Sequence, residues 1–138
     1  MPHNGRMTRF AIDAPTAVRL VSEGTVVSDK HQLVAPSVLR SQALSLIYQA
    51  VRAGSLEEPE ARVMLERLTT MRIRLLGDRV SRGTAWRLAS QFGWDDTTQA
   101  EYIAVAQLQA DAFVTLDESL ALVAKDLVVI APFDALLR

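Results

Sequence analysis

Two aspartates stand where short apolar runs stop. Asp13 follows Phe10-Ala11-Ile12, and Asp117 closes the run Phe113-Val114-Thr115-Leu116. In α/β chains the carboxyl ends of strands are where ligands gather. Two strand-end carboxylates in one small domain suggest a metal site, because hard divalent cations are held by oxygen ligands of this kind. Each residue also has a plainer role. Asp13 precedes Pro15 and Asp117 precedes Glu118-Ser119, so either can accept hydrogen bonds from the amides that open a helix.

Positioning both acids requires a particular order of elements. Residues 9–12 read as a first strand, and Pro15 suits the first turn of a helix over 16–23 that ends at Gly24. Residues 32–35 form a second apolar run, halted by Pro36. Leu39, Ala43, Leu46, Ile47 and Ala50 then recur at helical spacing as far as Gly54. Ser55 and Glu58 have capping-box spacing and predict the start of another helix, whose apolar side is Val63, Met64, Leu65 and Leu68. Residues 73–76 read as a short strand and 78–91 as a helix ending at Gly93. Thr98 and Glu101 repeat the capping-box spacing before the helix that carries Tyr102, Ile103 and Val105. A strand over 113–116, a helix over 118–125 and a last strand over 127–130 complete the chain.

The strands are continuous apolar runs rather than alternating ones, which marks burial on both faces. Helices separate nearly all of them. The expected fold is therefore a three-layer α/β/α arrangement around a short, mainly parallel sheet. Residues 1–8 are expected to be a flexible extension and 9–138 a single domain.

Composition narrows the class. Of 138 residues, 49% are hydrophobic and 22% charged. That balance is the one found in folded globular chains. No apolar run approaches the roughly 18 residues that span a bilayer, so no membrane is expected as a partner. The opening MPHNGRMTRF has no apolar core of a secretory signal. With no cysteine there are no disulfides or thiolate metal sites, and a cytoplasmic location is expected. A net charge of −1 leaves no global basic field for nucleic acid.

Three stretches together resemble the PIN domain, specifically the small PIN proteins that act as VapC-type toxins of toxin–antitoxin modules. They are FAIDA near the start, APSVLRSQALSLIYQA in the long helix, and QAEYIAVAQLQADAFVTLD towards the end. Thr115-Leu116-Asp117 fits the Thr-x-Asp that closes the family's last motif. The resemblance spans nearly the whole chain. It implies a Mg2+- or Mn2+-dependent endoribonuclease acting on RNA, an antitoxin protein as partner, and a homodimer.

The resemblance also implies four acidic positions. Asp13 and Asp117 fill two of them. The position in the long helix falls on Gln42, and the one three residues before Tyr102 falls on Gln99. An amide keeps the size and a carbonyl oxygen that can ligate a hard cation, but it removes the charge. Such a site loses two negative charges, so metal affinity should fall sharply. Asp96, three residues before Gln99, is a candidate substitute ligand. Asp95 is a weaker one, and Glu101 projects from another side of the helix. Capping of the helix is the alternative role for Asp95 and Asp96. A chain with this site either cleaves RNA with a reduced acidic centre or survives as a degenerate module that binds antitoxin or RNA without cutting.

Other residues read more simply. Thr115 is expected to stabilise the strand end through a local backbone bond. Arg40, Arg74, Arg79, Arg82 and Arg87 are able to meet phosphates but fit solvated helix faces. Tyr102, Trp86 and Trp94 read as core or interface aromatics, and His3 and His31 lack ligand spacing.

Overall fold

In the computed structural model, which describes residues 7–138, the first strand begins one residue earlier than its apolar run. Strand β1 (Thr8–Ile12) leads into helix α1 (Ala14–Glu23), and β2 (His31–Pro36) into α2 (Leu39–Arg52). Helix α3 (Glu58–Thr70), strand β3 (Arg74–Leu76), and helices α4 (Arg79–Phe92) and α5 (Thr98–Gln109) follow. Strand β4 (Ala112–Val114) and helix α6 (Glu118–Ala124) precede a closing 3-10 turn over Phe133–Leu137. Thr8 belongs to β1, its amide donating to the Lys30 carbonyl at 3.0 Å, so the expected extension is shorter than 1–8. The rest of that extension, with His3, lies outside the described residues apart from Met7.

The four strands form one parallel sheet in the order β3-β2-β1-β4. The six helices flank it, giving the three-layer α/β/α fold expected from the sequence. From β1 the chain moves through β2 to β3, then returns through α4 and α5 to β4 on the far side of β1. Neighbouring strands β1 and β4 are therefore where the strand order reverses, with Ile12 paired to Val114. Such a switch point opens a crevice at the carboxyl ends of the strands. Asp13 and Asp117 both follow strands that meet there.

Burial explains why these strands read as solid apolar runs. Ile12, Phe113 and Val114 are fully buried, as are Ile103 and Ala104 of α5, which packs across β1 and β2. Helix α5 is small and apolar on most sides because the sheet covers one side and α4 another. A second apolar cluster, with Ala14, Ala43, Ile47, Met64 and Leu68, joins α1, α2 and α3.

Four local expectations are corrected. The Ser55 capping box does not form: α3 starts at Glu58 with Pro59 in its first turn, and the Ser55 hydroxyl turns back to the Ala50 carbonyl at 3.1 Å. Helix α5 is entered one residue early, so the pair that meets is Thr97 and Glu101, at 3.0 Å between side chains. The last strand shrinks to a single bridge between Phe113 and Ile130. The amides of Leu127 and Val128 instead bond to the Ala124 carbonyl at 2.8 and 2.9 Å, prolonging the turn of α6. Of the core and interface roles expected for Trp86, the core one is excluded, since the side chain is 70% exposed.

Candidate active site at the β1–β4 switch point

Asp13 is the N-cap of α1 and is only 4% exposed. A buried carboxylate must be hydrogen-bonded to be tolerated. Its Oδ1 accepts from the Thr16 amide at 3.0 Å and from the Thr16 hydroxyl at 2.5 Å. The Thr16 oxygen also lies 3.2 Å from the Val114 carbonyl. A hydroxyl has one proton, however, and the shorter contact to Asp13 takes it. Oδ2 of Asp13 accepts from the Thr115 hydroxyl across the β1–β4 seam. Thr115 does the expected local work as well, its oxygen accepting from the Asp117 amide at 3.1 Å.

Asp117 is the half-buried N-cap of α6, with Oδ1 accepting from the Leu120 amide at 3.1 Å. Both strand-end aspartates therefore cap helices and also stand at the switch point. The two roles are compatible, because capping uses only part of each carboxylate's acceptor capacity. One acceptor site remains on Oδ2 of Asp13, and Oδ2 of Asp117 accepts no hydrogen bond among the described residues.

Gln42, in the first turn of α2, meets Tyr102 of α5: the phenol donates to Gln42 Oε1. Tyr102 is 3% exposed, and its ionisation is pushed well above the usual tyrosine range by burial, then by the charges of Asp13 and Glu101. It is thus a fixed neutral donor at any ordinary pH. The Tyr102–Gln42 bond ties α5 to the start of α2. Thr16 escapes sequence reasoning, because its place beside the β4 carbonyl spans the whole fold.

Gln99 is exposed at the start of α5, in a hollow of about 360 Å³ with Trp94, Asp95, Asp96 and Thr98. No hydrogen bond joins it to Asp13, Gln42 or Asp117. Asp96 is likewise exposed, and its Oδ1 accepts from the Thr98 amide at 3.0 Å, an entry cap for α5. Among the described residues no three Asp, Glu or His side chains converge to hold a metal. Asp96 therefore does not complete a three-carboxylate group with Asp13 and Asp117. The side-chain oxygens that the two strand ends bring to the switch point are the carboxylates of Asp13 and Asp117. Such a set fits one hard cation that keeps much of its water and completes its shell on a phosphate; it does not fit a pair of metals.

A larger cleft of about 1190 Å³, lined by Gly24, His31, Arg67, Met71 and Arg74 among others, opens at the amino ends of the strands. It contains none of these site residues, and chemistry in parallel sheets belongs to the carboxyl ends.

No protein-family model matches the sequence, and no curated protein is significantly similar to it. Among solved structures, the chain is similar to PAE2754 from Pyrobaculum aerophilum, with a TM-score of 0.68 at 18% identity over 95% of both chains. A likeness at that identity supports the fold alone.

Proposed function

We propose that this chain is a PIN-like, Mg2+- or Mn2+-dependent endoribonuclease with a reduced acidic site. The observation that carries the reading is the hydrogen bond from Thr115 to Asp13, which ties the two acidic strand ends into one crevice at the switch point. Asp13 and Asp117 would hold the cation, with the Gln42 carbonyl as a neutral third ligand. When bound, a hard divalent cation offsets charge on the phosphate and activates water. Thr16 and Thr115 fix the Asp13 carboxylate, and Tyr102 fixes the Gln42 carbonyl. With so few charges of its own, the site depends on the RNA phosphate for part of its metal affinity. The same reading carries an antitoxin partner, a homodimer and a cytoplasmic location as proposals. Leu44 and Tyr48 of α2 and Val63 of α3, all at least half exposed, support a partner on that side.

A second reading is a module that binds antitoxin or RNA without cutting. The neutral amides at Gln42 and Gln99, and the commitment of Gln42 to Tyr102, favour it. Manganese titration followed by electron paramagnetic resonance separates the readings. The nuclease reading expects one ion per chain, bound more tightly when a non-cleavable RNA analogue is added and lost in an Asp13→Asn, Asp117→Asn variant. Equal manganese binding by that variant would refute it.

A further inference from the structure

The outer face of α4 has no partner among the described residues. Arg79, Arg82 and Trp86 recur there at spacings of three and four, with Val80, Gly83 and Arg87 in the adjoining row, and all six are exposed. The opposite side, Ser81, Thr84, Ala85, Leu88 and Ala89, is buried, and the helix packs on α5. No carboxylate forms a salt bridge with these three arginines among the described residues. Asp78 is the single acid between Arg72 and Arg87. Its carboxylate is committed to the Ser81 amide at 2.8 Å, though its charge reaches Arg82. On a chain of net charge −1 this is a local positive field.

Two further features distinguish the face from an ordinary solvated one. Trp86 leaves 70% of its surface in water. That is a poor place for a large aromatic unless something covers it. Gly83 sits mid-helix, where glycine is unfavourable. Yet a Cβ there would meet nothing within 4 Å, so no close contact among the described residues requires that glycine. Its effect is to leave the space one turn before Trp86 and Arg87 uncovered.

We propose that this face captures single-stranded RNA, with a base stacked on Trp86 and the flanking phosphates held by Arg79, Arg82 and Arg87. An exposed indole framed by guanidinium groups suits a strand that offers a planar ring and an anion at each step. The inference goes beyond the cleavage reading, since capture here uses neither Asp13 nor Asp117.

The test is titration of the protein with a short oligouridylate in EDTA. In a Trp94→Phe background, Trp86 fluorescence should be quenched as RNA binds. Affinity should fall with salt at a log–log slope near about −2, as for three phosphates on a single strand. Replacing the three arginines by glutamine should flatten that slope and weaken binding at least about tenfold, and Trp86→Ala should cost about tenfold. Gly83→Ala should raise the melting temperature while weakening capture. Binding by the arginine and Trp86 variants equal to that of the parent would overturn the proposal, as would the absence of salt-sensitive quenching. Stronger quenching by polyglutamate than by RNA would also overturn it and assign the face to an acidic protein. Because EDTA removes metal-dependent cleavage, the outcome is separable from that of the active-site reading.

Discussion

Thr115 donates its hydroxyl proton to Asp13 across two strands whose residues are 102 apart in sequence, while its oxygen receives the Asp117 amide. A single threonine thus couples the position of one acid to the backbone of the other. If this coupling holds the crevice together, Thr115→Val should destabilise the protein by about 1–3 kcal/mol, because it strips a donor from a buried carboxylate. Thr115→Ser should recover most of the loss. Urea unfolding at neutral pH measures both, and a Thr115→Val variant as stable as the parent would contradict the coupling.

Tyr102 gives the protein an alkaline limit. Its phenol ionises above the ordinary value near 10 in the folded state. Beyond that pH the unfolded chain therefore releases a proton that the folded chain keeps. Stability should be constant below about pH 10 and fall as pH rises through the folded-state value. Tyr102→Phe should flatten that limb while leaving Gln42 without its donor. Thermal melts of both proteins between neutral and strongly alkaline pH check the prediction.

Arg40 moves from the candidate phosphate contacts to the architecture. Its guanidinium reaches the Met71 carbonyl at 2.8 Å and the Leu68 carbonyl at 3.4 Å, satisfying the end of α3. Arg40→Ala should cost about 1–2 kcal/mol of stability and leave RNA affinity unchanged. A loss of RNA binding without loss of stability would reverse that assignment.

His31 carries a cost that can be removed. Both ring nitrogens are buried without a hydrogen-bond partner among the described residues, and the ring meets Phe10 edge-on at 4.8 Å. His31→Leu should leave the melting temperature unchanged or raise it by several degrees, since an unsatisfied buried polar atom costs about 1–3 kcal/mol. A marked drop would mean that the imidazole has a partner in solution.

Much of the site's frame was legible in sequence because it is local. Pro15 beside Asp13, and Gly24 and Gly93 with φ of 64° and 67°, mark helix ends that need no tertiary information. The buried strands announced themselves by solid apolar runs. What escaped was long-range or inverted. The Thr115 bond to Asp13, and the approach of Thr16 to the Val114 carbonyl, join segments no local pattern connects. On α4 the buried side is made of Ser81, Thr84 and small alanines besides Leu88, while Val80 and Trp86 face water, so hydrophobicity pointed the wrong way. The fifth strand was lost because Leu127 and Val128 continue the turn of α6.

The central claim is that Asp13 and Asp117 form a working, if reduced, RNA-cleaving site. The direct measurement is Mn2+-dependent cleavage of structured RNAs by the native chain, Asp117→Asn, and Gln42→Glu with Gln99→Asp. Asparagine caps helices as well as aspartate does, so Asp117→Asn should fold with native stability. The account predicts slow cleavage by the native chain and none by Asp117→Asn. Cleavage by the Gln42→Glu, Gln99→Asp variant alone, with the native chain inert, would contradict it and leave a module that binds without cutting.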